Sequence, residues 1–253
     1  MLTFTDQQVM QWFLPLLWPM LRTLSMLATV PVLSSRSVPV RVKIGLAFFV
    51  ALCAQASLPH QPVVALDSPT GLAMVAQQVV VGVTLGFAAR IVFTAVEFAG
   101  ELIGLQMGLN FAGFFDPATG SQGTATSRFF STMGSLLFVV INGHLLMLAA
   151  LVRSFEAFPV SDQPLAVIQT LQPQVWGAEI FKIGLWLAMP IVAMLLFVNL
   201  MLGVIARVAQ QLQIFSVGFS ITVSVGLVGV LMTLPMLQGP FTRTLEHMLG
   251  LFQ

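Results

Sequence analysis

Arg90, Glu97 and Glu101 are the first residues to weigh as chemistry, because all three stand in a long apolar run where charge is costly. Their spacings of seven and four residues put them roughly on one face of a helix. Two carboxylates so placed could pass a proton or a cation. The plainer reading is that Arg90 neutralises one of them and that these buried charges face a protein-filled or wet interior, serving assembly. A proton-driven transporter more often sets its acid at mid-membrane beside a broken helix. His144, beside Asn142 and Gly143, could act as a base or a metal ligand. Only His60 and His247 accompany it, none at metal-ligand spacing, which fits a satisfied core histidine. Ser135 after Gly134 offers a hydroxyl nucleophile, yet no base stands near it in sequence, and small residues at helix contacts account for the pair. The sequence has no phosphate-binding glycine loop, no HExxH motif and no second cysteine beside Cys53. It offers no support for an enzyme, a metal site or a bound cofactor.

The elements that must position these groups centre on Phe98 to Arg128, FAGELIGLQMGLNFAGFFDPATGSQGTATSR. Gly100, Gly104 and Gly108 recur every fourth residue, so on a helix they form a stripe without side chains that lets another helix approach to backbone contact. Past Gly108 the pattern breaks into Asn110, Phe111, Gly113, Phe114, Phe115, Asp116 and Pro117, followed by a polar run. Aromatics flanked by glycines and closed by Asp-Pro predict a bulky, mobile loop. Irregular backbone is tolerated in a bilayer only where protein buries it or it lines a wet cavity. The stretch therefore predicts a packed helix delivering a plug or lid to a shared cavity.

With 57% hydrophobic and 8% charged residues, against about 25% charged in a soluble domain, the chain is an integral membrane protein. A net charge of +1 points neither to nucleic acid nor to a polybasic lipid anchor. The amino-terminal MLTFTDQQ carries an acid and no base, so the first apolar segment is expected to stay in the mature protein.

Six apolar runs are expected to be helical. The first, about Val9 to Val30, holds Pro15, Pro19 and Arg22 and should be kinked or broken. The others are Ile44 to Leu58, Gly71 to about Leu109, Phe129 to Leu151, Ile180 to Ala206 and about Phe215 to Leu237. The third is too long for one bilayer crossing. A polar loop is predicted from Arg153 to Trp176 and a short amphipathic helix in the tail from Gln238. Arg36, Arg41 and Lys43 place the first loop on the cytoplasmic side, and Arg207 with three glutamines reads as a cytoplasmic hairpin tip, leaving both chain ends outside. No repeat or separate soluble domain breaks the chain, which reads as one domain, residues 1–253. On these residues alone it is an all-α membrane protein with about six apolar helical segments. A secondary transporter using Glu97 and Glu101 as coupling acids stays open, with an intramembrane enzyme behind it.

GLQMGLNFAGFFDPATGSQ, Gly104 to Gln122, resembles the signature of the FliR family of flagellar export proteins and their injectisome counterparts. IARVAQQLQIF, Ile205 to Phe215, is similar to that family's second recurring segment, and the likeness spans essentially the whole chain. One departure concerns the tip: the family usually has Pro-Gln-x-Asn where this chain has Gln210, Gln211, Leu212 and Gln213. The turn there is accordingly less tightly fixed. The resemblance implies kinked helical hairpins packed into a hetero-oligomeric export gate with FliP and FliQ, without catalysis, cofactor or nucleic acid. It implies a place in the bacterial inner membrane at the flagellar basal body, contacts with FlhB, other export components and membrane lipid, and passage of unfolded flagellar proteins. By position it assigns a pore plug to Gln106, Met107, Asn110, Phe111, Phe114, Phe115 and Asp116, and a hairpin tip to Arg207, Gln210, Gln211 and Gln213.

Overall fold

The computed structural model describes residues 6–35, 37–55, 58, 62, 64, 67–109, 123–208 and 214–252. Every regular element among them is helical. In chain order they are α1 (Asp6–Thr29), α2 (Pro31–Ser34), α3 (Val40–Ala54), α4 (Pro69–Met107), α5 (Ala125–Val140), α6 (Gly143–Ala157), α7 (Pro164–Leu171), α8 (Gly177–Val208) and α9 (Ile214–Thr233). A 3₁₀ turn, Leu234–Leu237, then leads into α10 (Gln238–Gly250).

The first apolar run, expected to be kinked or broken at its prolines, forms one helix, α1, that continues through Pro15 and Pro19. Each proline withholds one hydrogen bond, but the helix has tertiary support: it packs against α3 and buries Trp18, Met26 and Leu27. Its Thr23, Ser25 and Thr29 hydroxyls donate back to the carbonyls of Pro19, Leu21 and Ser25 at 2.7, 2.8 and 3.1 Å, so no hydroxyl is stranded in apolar packing. The backbone of α4 approaches α1 at Gly82 and Gly86. A β-carbon at Gly82 would collide with Ser25 and the Arg22 carbonyl, and one at Gly86 would stand 2.9 Å from the Met26 carbonyl oxygen and strike Thr29.

As expected, α4 is continuous over 39 residues. At 1.5 Å per residue it is roughly 58 Å long, nearly twice a hydrocarbon core of about 30 Å. The fourth apolar run, read as one span, is two helices. Its first part stops at Val140, Asn142 adopts a left-handed conformation at φ 56°, and the chain restarts at Gly143. Asn-Gly is a turn signal that the run's hydrophobicity overshadowed. The segment read as polar loop is partly helical too: α6 continues to Ala157, and α7 starts on Pro164 and ends at a left-handed Gln172, φ 46°.

Three stretches, Pro69–Met107, Gly177–Val208 and Val217–Gly250, are long and apolar enough to cross a membrane, or four if α5 and α6 count as one broken span. That is fewer than the six apolar runs. At 15 residues, α3 is too short, and α1 is interrupted by charge and proline.

The chain divides into two compact units. The first, Met1–Ile91 with Asn142–Trp176 and Leu245–Gln253, buries Trp18, Leu27, Leu85, Met147, Phe155 and Phe252. Within it Trp176 stacks on Phe87 and meets Phe252 edge-on, centroids 6.2 and 6.1 Å apart. The second, Val92–Ile141 with Gly177–Thr244, centres on Phe93, whose ring lies 5.5 Å from Phe138 and 5.6 Å from Phe241. The tail forms the amphipathic helix expected, α10, burying Phe241, Leu245, Met248 and Leu249.

Candidate functional site

The end of α4 and the start of α5 form the best-defined site. Gly100 and Gly104 face the chain's own α5. A β-carbon at Gly100 would lie 2.8 Å from the Thr126 carbonyl oxygen and 2.9 Å from the Ser127 α-carbon; one at Gly104 would strike the Thr126 hydroxyl and come within 2.9 Å of that of Thr124. Gly108 acts differently from its two predecessors. At φ 79° it closes α4, its N–H donating to the Leu105 carbonyl at 3.1 Å and that of Leu109 to Gly104 at 3.0 Å. A left-handed glycine carrying such a pair of bonds is a helix stop, and any side chain there would strain the backbone.

The chain re-enters at Gly123, φ 93°, followed by Thr124 as the N-cap of α5, its hydroxyl accepting from the Ser127 N–H at 3.1 Å. Glu101 reaches across from α4. Its Oε2 accepts from the Thr124 N–H at 3.3 Å and from the Thr124 hydroxyl at 3.2 Å. The Thr126 hydroxyl stands 3.0 Å from that of Thr124. The protons are consistent if Thr126 donates to Thr124, Thr124 donates to Glu101, and the carboxylate ends the chain as acceptor.

None of the three charges is fully covered by this chain's own residues. Arg90 and Glu97 are exposed and Glu101 is half-buried. They share the α4 face that also exposes Val79, Val83, Phe87 and Leu105. Arg90 neutralises neither acid: among the described residues the only ion pair is Lys182 with Glu179, 3.2 Å apart at the surface. The glycine contacts of α4 take up only part of its circumference, so the protein-filled or wet interior expected for these charges would have to be supplied from outside this chain.

Of the residues assigned to the plug, Gln106 and Met107 lie in the last turn of α4. Met107 is a core residue, packed against Gly226, with its carbonyl accepting from the Thr222 hydroxyl at 3.4 Å. Asn110, Phe111, Phe114, Phe115 and Asp116 lie outside the described residues, as do Gln210, Gln211 and Gln213 of the tip. Arg207 is exposed in the last turn of α8, where its charge suits the helix dipole. His144 is exposed, not a core histidine, and no cluster of potential metal ligands occurs among the described residues.

Sequence reasoning passed over Arg22, noting it only as an interruption. Its guanidinium is fully buried, with Nε donating to Gln78 Oε1 at 2.8 Å, Nη1 to the Ser154 hydroxyl at 2.9 Å and Nη2 to the Phe158 carbonyl at 2.8 Å. It lies 3.6 Å from the centre of the Phe155 ring. Gln78 in turn donates to Gln77 at 2.6 Å, and Gln77 donates to the Pro159 carbonyl at 2.8 Å. No described carboxylate pairs with this cation; neutral acceptors and an aromatic face hold it instead. The adjacent Gln77-Gln78 pair in an apolar run was the available signal, since a lone basic residue in one helix needs acceptors from another.

The second unit also holds an apolar groove of about 510 Å³ lined by Leu109, Ala125, Thr126, Phe129, Leu227 and Leu231. Its lining has no acid, base or nucleophile beyond the Thr126 hydroxyl. The larger apolar feature is α8, which exposes Phe181, Trp186, Phe197 and Leu200, each at 60% or more. A face that apolar belongs against lipid or another subunit.

The sequence profile of the bacterial export proteins, family 1, matches residues 13–248, which gives the class. The chain is 41% identical to the flagellar biosynthetic protein FliR of Pectobacterium carotovorum subsp. carotovorum and 40% identical to that of Escherichia coli strain K12, in each case over 98% of this chain and 93% of the relative. It is 30% identical to FliR of Bacillus subtilis strain 168 over 91% of this chain and 92% of that one. The chain therefore belongs to the FliR family of flagellar export proteins.

Proposed function

We propose that the chain is a non-enzymatic subunit of the flagellar type III secretion export gate in the bacterial inner membrane. It joins FliP and FliQ, in contact with FlhB, to form a plugged pore for unfolded flagellar proteins. The whole length acts as one export-gate domain. Family membership over residues 13–248 carries this reading. The exposed apolar face of α8 supports it by giving partner subunits a surface that one chain leaves uncovered. The alternative, a transporter with Glu97 and Glu101 as coupling acids, loses support because Glu101 is engaged with the Thr124 cap and Glu97 is exposed. Co-expression separates the two: the tagged chain should be recovered in quantity only with FliP and FliQ, as one complex. Stable recovery alone with a bound small substrate would favour the transporter.

In this reading Phe111, Phe114 and Phe115 close the pore at rest, since a channel wide enough for an unfolded chain leaks ions unless something bulky and apolar fills it. Changing all three to alanine is expected to leave the complex assembled and make cells permeable to small solutes. Uptake is compared with wild type at equal complex abundance, and unchanged uptake would show that other groups close the pore.

A further inference from the structure

The joint between α9 and α10 forms, with the middle of α8, a groove of about 830 Å³ inside the second unit, larger than the one beside Leu109. We propose that this groove binds one anionic phospholipid, its acyl chains along the apolar walls and its phosphate at Arg243. The site is built from this chain's own residues and does not depend on the export-gate reading.

The first support is what lines the groove. Trp186, Met189 and Pro190 of α8 stand with Phe130, Met236 and Pro240. The proline rings at 190, 235 and 240 have no N–H, so the walls offer ring carbon where a helix would place donors. The Thr233 hydroxyl is spent within α9, donating to the Gly229 and Val230 carbonyls at 3.0 and 3.1 Å. Arg243 is the one charged residue in the lining; it is exposed, and no described carboxylate pairs with it. An apolar cleft with a single unspent cation matches a lipid whose head carries net negative charge. A zwitterionic head would bring its own cation beside Arg243, with no carboxylate in the lining to meet it. The neutral apolar side chains of a partner helix would leave Arg243 unmatched.

The second support is where the groove lies along the α8–α9 hairpin. At 1.5 Å per residue, Pro190 to Val208 and Ile214 to Thr233 each rise roughly 27–29 Å, close to a hydrocarbon core of about 30 Å. No charged residue stands between Lys182 and Arg207, or between Phe215 and Thr242. With Arg207 at one membrane boundary, the groove falls at the opposite one, where lipid phosphates stand. Trp186 is 64% exposed beside it, at the depth where indole rings gather in membrane proteins.

The test places a photoreactive benzophenone amino acid at Met236 or Met189, both exposed in the lining, in the complex purified with its partner subunits. The complex is reconstituted in vesicles of roughly three parts phosphatidylcholine to one part phosphatidylglycerol, and mass spectrometry of the irradiated chain reads what was captured. Phosphatidylglycerol adducts should exceed their share of the bilayer about fivefold and fall to that share in Arg243→Gln, the loss of one basic contact with an anionic head. A β-carbon at Gly239 meets nothing within 4 Å, so Gly239→Phe should fill the groove and abolish the enrichment. Gly203→Phe, equally open and outside the lining, should keep it. Capture in bulk proportion at both probe positions means ordinary surrounding lipid and overturns the site. Capture of a partner subunit overturns it in favour of a protein interface, and no capture at either position overturns it as well. Enrichment that survives Arg243→Gln overturns charge recognition, and enrichment that survives Gly239→Phe overturns the groove as its location.

Discussion

Gly104→Leu is expected to lower the protease-resistant amount of the folded chain at least about tenfold, both in the complex and in the small amount that accumulates without partner subunits. The smallest possible addition, a β-carbon, already strikes the Thr126 hydroxyl and crowds that of Thr124, and leucine adds three carbons more. Overpacking of this kind costs about 1–3 kcal/mol, and displacing the Thr124 cap adds about 1 kcal/mol. Native domains hold only about 5–15 kcal/mol in all. Gly104→Ala should fall between the two. Gly45→Ala and Gly203→Ala meet nothing within 4 Å in this chain and should leave the lone chain unchanged. The comparison separates an internal contact from a subunit contact. If Gly104→Leu leaves the lone chain at the wild-type level and fails only in co-assembly, α4 and α5 do not pack as described.

Arg22→Lys is expected to be as damaging as Arg22→Met. Ordinary charge conservation predicts the opposite. The guanidinium reaches Gln78, Ser154 and Phe158 from three nitrogens while lying 3.6 Å from the Phe155 ring centre; lysine carries one nitrogen and no planar fork. Methionine fills much of the volume but strands Gln78 Oε1 and the Phe158 carbonyl, at about 1–3 kcal/mol each. Lysine strands acceptors and also buries a poorly solvated charge. Each single change should cost on the order of 3–5 kcal/mol, read as loss of thermal stability of the purified complex. The double variant Arg22→Met with Gln78→Leu should recover part of it, because one orphaned acceptor leaves with its donor. An Arg22→Lys complex as stable as wild type would mean that charge alone matters here.

Much of this was legible in the sequence, and the limits have physical causes. Hydrophobic runs gave α4, α8 and α9 nearly to their ends, since long apolar helices need no long-range information to be recognised. The glycine spacing predicts close helix approach, but spacing carries no address: Gly100 and Gly104 meet α5, Gly82 and Gly86 meet α1, and Gly108 is a helix stop. Pattern cannot separate those, because the difference lies in φ and in what stands opposite. Arg22 was passed over because its acceptors lie 56 to 136 residues away. Asn142-Gly143 was a local signal outweighed by the apolar residues around it.

The length of α4 bears on how this chain can be mapped with reporter fusions. Roughly 20 apolar residues suffice to insert, so a fusion truncated at Ala89 keeps one bilayer's worth of this helix, and one at Met107 keeps nearly two. Either truncation also discards α5 and α6, and with them what packs on Gly100, Gly104 and Arg22. The reporter would then record how half a rod enters lipid by itself, and a map assembled from such truncations would count crossings that the complete chain does not make.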